Sequence, residues 1–233
     1  MAFGQVLYYN ARMSTEIKLV TGIIILSIGV TFLGLKLAYK APSEAKLAIT
    51  AATMTAPDAP SIKGASSTVS IVEFADFECP ACAAMHSIFK NYLKEEGSKV
   101  TFTFRNFPIH ANADKFSVAA LAAGRQGKFW EMHDMMFENQ TTWAELSLDK
   151  KMEAFAGYAQ KLGLNMTKYS ADLNNPALAE IVKKDKADAI AMGVTATPTI
   201  IINNNRIIVG GKNLADLKKI VDEEIAKGPV TLK

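Results

Sequence analysis

The 233 residues suffice for one domain of ordinary size plus an appendage, and a hydrophobic share of 49% against 21% charged excludes a disordered chain. A net charge of +3 with no arginine-rich block offers nothing to hold nucleic acid. Only two cysteines occur, Cys79 and Cys82, and closing so short a loop gains roughly 2 kcal/mol, so the pair points to redox or metal chemistry rather than to a structural staple.

In chain order, residues 1–18 read as a leader and residues 19–37 as a transmembrane anchor. The run LVTGIIILSIGVTFLGL carries no charge and is bracketed by Lys18 and Lys36. As a helix it rises about 26 Å, and lysines snorkelling at both ends let it cross a hydrocarbon core about 30 Å thick. No clean small-residue cleavage site follows closely, which favours an uncleaved anchor over a signal peptide. Residues 38–67, rich in Ala, Thr, Ser and Pro, read as a linker, and the folded domain is expected over 68–228.

Residues 69–75 (VSIVEFA) are β-branched and aromatic, with apolar side chains on both faces, and predict a central strand. Residues 81–95 have helical spacing, with Ala84, Met85, Ile88, Phe89, Tyr92 and Leu93 on one stripe. Residues 100–107 alternate as a second strand, and strand–helix–strand is the minimum unit of a parallel sheet. From 111 to 192 the pattern is helical, with helices expected at 114–123, 128–138, 149–162 and 176–192 and a smaller one near 168–173. Phe129, Trp130, Met132, Met135, Met136 and Phe137 form a soft apolar cluster that packs this segment onto the core. Lys183-Lys184-Asp185-Lys186 reads as a solvated helix face. Strands return at 199–202 and 206–209 around Asn203-Asn204-Asn205, a turn needing the positive φ that asparagine tolerates. An amphipathic helix at 214–225 closes the domain.

Cys79 falls where strand and loop give way to a helix. At a helix N-terminus, unpaired N–H groups and the positive end of the dipole favour thiolate over thiol, and Pro80 suits the first turn, where no intrahelical N–H is required. Cys82, one turn on, suits a resolving thiol. Glu73 lies on the strand feeding this loop between Val72 and Phe74; buried there, a carboxyl titrates high and can exchange a proton with Cys82. Thr197-Pro198 opens the later strand, and a cis proline beside the cysteines leaves the Thr197 backbone to pair with an extended substrate.

Phe74-Ala75-Asp76-Phe77-Glu78-Cys79-Pro80-Ala81-Cys82, with Thr197-Pro198-Thr199 far downstream, resembles the DsbA family of the thioredoxin superfamily, in its membrane-tethered bacterial form. The resemblance implies an α/β thioredoxin-like fold with an inserted helical subdomain (about 111–192), preceded here by the N-terminal transmembrane helix. It implies Cys79 as nucleophile, Cys82 as resolving thiol, Glu73 as buried acid and Pro198 as cis proline, with Thr197, Pro80 and Ala81 facing substrate. The implied partners are protein thiol substrates and a membrane quinone-linked thiol oxidase, DsbB-like or VKOR-like; no cofactor or metal is called for.

Ala81 departs from the enteric archetype, which has histidine there, and so leaves the oxidising strength open. A reductase or isomerase of the same fold is one alternative, and a tethered chaperone or metal-binding module another. Zinc would need Cys79, Cys82 and His86 plus His110 or His133. His86 reads instead as a helix-face residue and Asp76 as structural. A disulfide donor is useful only in an oxidising compartment, which places the expected catalytic domain on the extracytoplasmic side of the cytoplasmic membrane, on a single span.

Overall fold

The chain divides into two compact units, Met1–Lys46 and Leu47–Lys233. The structure, a computed structural model, describes Ile24, Ala56, residues 58–203, the backbone of 206–209, and residues 213–228. Apart from Ile24, which is helical, the expected anchor at 19–37 lies outside the described residues. Among the described residues, no helix is long and apolar enough to cross a membrane.

The second unit is built on a five-stranded sheet. Its strands are β1 (Ser61–Lys63), β2 (Val69–Ala75), β3 (Val100–Asn106), β4 (Thr199–Ile202) and β5 (Arg206–Val209), in the order β1-β3-β2-β4-β5. β2 runs parallel to β3 from Val69↔Val100 to Ala75↔Asn106, while β1, β4 and β5 pair antiparallel with their neighbours. β2 is the middle strand, buried along nearly its whole length, as its apolar composition requires.

The helices are α1 (Pro80–Glu96), α2 (Ala113–Gly124), α3 (Phe129–Glu138), α4 (Gln140–Trp143), α5 (Leu148–Lys161), α6 (Met166–Asp172), α7 (Pro176–Ala191) and α8 (Leu214–Ala226). Alternation along β2 sends Val69 and Ile71 to one face, where they meet Met85, Phe89 and Tyr92 of α1 and Leu217, Ile220 and Val221 of α8. Val72 and Phe74 point to the other face and pack on Ala189, Met192 and Val194 at the end of α7. The inserted helices form their own cluster around Phe116, Trp143 and Phe155, continuous with Phe77 and both cysteines. Phe129, Met132, Met136 and Phe137 are buried within it, as the expected seam between insertion and core.

Four features differ from the sequence reading. The stretch assigned to linker contains β1, whose side chains are all exposed, so its strand identity comes from pairing with β3 and not from any apolar pattern. Gly64 follows it closely against the turn at Gly97–Lys99; a Cβ there would run into the Gly97 carbonyl. Helix α4 is too short to show a period. On α1 the buried face includes His86, whereas Ala84 is exposed. Finally, Asp185 is 3% exposed and pairs with Arg105, so the run around it is not a wholly solvated face. A charge pattern alone cannot reveal a buried partner supplied from another strand.

Candidate active site

Cys79 caps α1 with extended backbone (φ −76°, ψ 119°), and Pro80 opens the helix. The Cys79 carbonyl accepts from the amides of Cys82 (3.0 Å) and Ala83 (3.2 Å), and its own amide donates to Asp76 O at 3.1 Å. Asp76 is fully buried and holds the turn from both sides. Its Oδ1 accepts from Glu78 N, and its Oδ2 from the amides of Ile109 and His110 and from His110 Nδ1, at 2.7–2.9 Å. The expected structural role of Asp76 matches this arrangement. Gln140 of α4 secures the same turn, its Nε2 donating to Phe77 O (2.7 Å) and Cys79 O (3.0 Å).

The Thr197–Pro198 peptide bond is cis. It brings the Thr197 carbonyl 3.5 Å from Cys79 Sγ across the start of β4, so residues distant in sequence share one site. The two cysteines are not bonded to each other. Cys79 is 6% exposed and Cys82 fully buried beneath it, while Pro80 and Ala81 are exposed at the surface.

The thiols differ sharply in acidity. A hydrogen bond from the Cys82 thiol is the largest influence on Cys79; together with Thr197 and the amides of Cys82 and Ala81 it overcomes burial and brings Cys79 down to about 5. Burial, and the hydrogen bond given to Cys79, push Cys82 far up. Glu73, 2% exposed and buried in β2 as expected, is raised to about 8 by desolvation and then by the negative charge on Cys79. At neutral pH the site therefore holds a thiolate, a thiol and a protonated carboxyl. It can form a mixed disulfide at Cys79, resolve it with Cys82, and pass the Cys82 proton to or from Glu73.

The thioredoxin family profile matches residues 58–223. The chain belongs to the thioredoxin family. Disulfide bond formation protein D of Bacillus subtilis is 31% identical to this thioredoxin-family chain over 189 residues, covering 71% of the chain and 79% of that relative. The crystal structure of α-DsbA1 from Wolbachia pipientis superposes with a TM-score of 0.66 at 19% identity, over 73% of this chain and 92% of that one. The fold is thus the DsbA-like one anticipated from the motif. A Na(+)/H(+) antiporter NhaA from Herminiimonas arsenicoxydans is 34% identical over 139 residues, which is 60% of this chain and 21% of that protein. The chain spans only about a fifth of the length of the antiporter relatives it matches.

Of the site residues named from sequence, Cys79, Cys82, Glu73, Thr197, Pro198, Pro80 and Ala81 all lie at this one end of the thioredoxin-family sheet. Gln140 carried no sequence signal, since a lone glutamine after an asparagine looks like any loop. His86 did carry one: it lies four residues after Cys82, on the buried face of α1. Its Nε2 lies 2.9 Å from Asp134 Oδ1, which His133 Nδ1 also reaches at 3.1 Å.

Proposed function

We propose that this chain is a thiol–disulfide oxidoreductase that oxidises dithiols of secreted or cell-envelope proteins. The observation that carries this reading is the opposed acidity of Cys79 and Cys82. An arrangement that stabilises the Cys79 thiolate stabilises the reduced pair, and so makes the disulfide the stronger oxidant. A substrate thiolate attacks Cys79 Sγ of the Cys79–Cys82 disulfide. The S–S bond breaks, Cys82 leaves as a thiolate and takes the proton of Glu73. A second substrate thiolate then attacks the substrate sulfur of the mixed disulfide. Cys79 leaves as a thiolate, and two electrons have passed from the substrate dithiol to the enzyme.

The exposed Pro80 and Ala81 and the Thr197 backbone form the surface offered to an extended substrate segment. Residues 19–37 tether the domain to the cytoplasmic membrane, on its extracytoplasmic side. A membrane quinone-linked thiol oxidase, DsbB-like or VKOR-like, returns the pair to the disulfide. The name of the Bacillus subtilis relative supports the donating direction.

The test is the reduction potential of the full chain, equilibrated in glutathione buffers. A value at or above about −150 mV is expected of a disulfide donor; one near about −250 mV or below would overturn the donating direction in favour of a reductase.

A further inference from the structure

Glu73 must change protonation in each cycle, yet its Oε1 is buried without a hydrogen-bond partner. It lines a cavity of about 150 Å³ whose walls also carry His86, His133 and Asp134, together with the exposed Ile62 and Lys90. That volume admits several water molecules. His133 is 4% exposed, and its Nε2 is likewise buried without a partner. The ring stands edge-on to Phe104 at 4.9 Å, and Phe104 is the cross-strand neighbour of Glu73. Two residues that each carry an unpartnered buried polar atom, one an acid and one an imidazole, thus line one cavity.

We propose that this cavity is the route by which Glu73 exchanges its proton with solvent, with His133 and the His86–Asp134 pair as the relay. An ionised carboxylate only accepts, so the contacts to Asp134 Oδ1 fix the hydrogens on His86 Nε2 and His133 Nδ1. His133 Nε2 is then left with a lone pair to receive a proton. Burial holds His133 down to about 4, so it is neutral at rest and carries charge only in transit. Burial alone would raise the Asp134 carboxyl, but bonds from His133, His86 and Lys90 hold it well below the usual range, which keeps the outer end of the relay ionised.

When Cys82 leaves as a thiolate, Glu73 protonates it. The relay starts in reoxidation, when His133 Nε2 accepts the proton leaving Glu73 through cavity water and Nδ1–H passes its proton towards Asp134 and solvent, which leaves the ring hydrogen on Nε2. In the next oxidation Nε2 returns that proton to Glu73 Oε1, and Nδ1 takes a new one from the Asp134 side. The charged and titratable groups facing Glu73 are Cys79, Cys82 and His86 of α1, Lys90 further along it, and His133 and Asp134 of α3. The sheet neighbours Phe104 and Ile200 add no charge. His86, His133 and Asp134 also have ligand atoms within 4.8 Å of one another, as a metal site would. Asp134 Oδ2, though, already lies 2.8 Å from Lys90 Nζ, and Oδ1 is taken by the two histidines. Both Asp134 oxygens are thus already engaged, one of them by a cation, which favours protons over metal.

This inference rests on the oxidoreductase reading, and His133 acts through Glu73 as a positioning residue. The test is single-turnover oxidation of a dithiol peptide by the disulfide form of the full chain, from pH 5 to 9. His133→Gln is expected to slow the reaction about tenfold at pH 8 and little at pH 5, with added imidazole restoring most of the rate. In a Glu73→Gln background it should add less than about twofold, because the two act in series. The reduction potential should not move.

A rate unchanged at every pH would overturn the relay, as would a loss that imidazole does not relieve and that persists undiminished without Glu73. If His133→Gln loses its cooperative melt, Ile62→Trp plugs the cavity from its exposed wall. That variant should show the same pH-dependent slowing, and an unaffected rate there overturns the proposal. A wild-type disulfide form that oxidises no peptide at any pH sinks the oxidoreductase reading instead.

Discussion

Arg105 Nε donates to Asp185 Oδ1 over 2.6 Å, with Arg105 wholly and Asp185 almost wholly removed from solvent. The second carboxylate oxygen of Asp185 accepts from the backbone and side-chain amides of Asn106, and Arg105 Nη2 reaches Asp188. Together these bonds fasten α7 to the end of β3, on the sheet face away from Glu73. Removing Asp185 takes one of two carboxylates from the buried Arg105 and strands the Asn106 amides, so Asp185→Ala is expected to lower stability by about 3 kcal/mol in urea unfolding. The double replacement Arg105→Met with Asp185→Leu should lose less, because no charge is stranded. In both variants the Cys79 titration should stay where it is.

The first influence on Cys79 acidity is the hydrogen bond from Cys82. Cys82→Ala is therefore expected to move the thiolate absorbance transition of Cys79 upward from about 5. Cys82→Ser should in addition accumulate a mixed disulfide when a disulfide-bonded substrate protein is added, because Cys79 opens the substrate disulfide and no Cys82 thiol remains to displace it; the adduct is visible on a non-reducing gel. Cys79→Ser should form no such adduct.

Glu73 is raised from 4.5 to about 8, so the stability linked to it is intact below about 4.5 and is lost as pH rises through 8. Cys79 runs the other way: lowered from 9.0 to about 5, it contributes stability present above 9 and lost as pH falls through 5. Between pH 5 and 8 these two slopes oppose each other; His133, lowered from 6.5 to about 4, adds a rise up to about pH 6.5, above which the dithiol protein should change little in stability. Glu73→Gln removes one side of this balance. Its urea midpoint should rise with pH relative to wild type, the difference growing by at most about 1.4 kcal/mol per pH unit. A constant difference across that interval would show that Glu73 does not titrate as placed.

Gln140 ties the insertion to the active-site turn through two carbonyls. Gln140→Ala strands the buried Phe77 carbonyl, and a loss of about 1–3 kcal/mol is expected in thermal unfolding. Amide exchange at Cys82 and Ala83, whose N–H groups cap onto Cys79 O, should accelerate more than exchange in β2.

Most of this fold could be read from pattern. β2, α1, β3 and the β4–β5 hairpin announce themselves by period, and Asn203 takes the positive φ of 48° that its turn requires. The cysteines, Glu73 and Thr197-Pro198 were legible because each owes its role to a local setting: a helix start, a buried strand, a strand-opening proline. What stayed hidden depends on partners far away in sequence. β1 has no apolar face, and only the β3 edge makes it a strand. Asp185 sits in a run of charges, and only Arg105 makes it a core residue. Gln140 and His133 gain their meaning from the turn and the cavity they reach.

The 118 positions separating Cys79 from Thr197 have a consequence for the chain as it is made. A growing polypeptide exposes both cysteines long before the segment that completes their surroundings exists. Until β4 docks on β2, Cys79 lacks the Thr197 side chain, whose hydrogen bond is one of the influences that lower it. The full acidity of the thiol thus belongs to the finished domain and not to the motif alone, and a truncated or half-folded copy carries the same four-residue sequence with a less acidic Cys79. Iodoacetamide labelling at mildly acidic pH would accordingly report completed folding of this molecule.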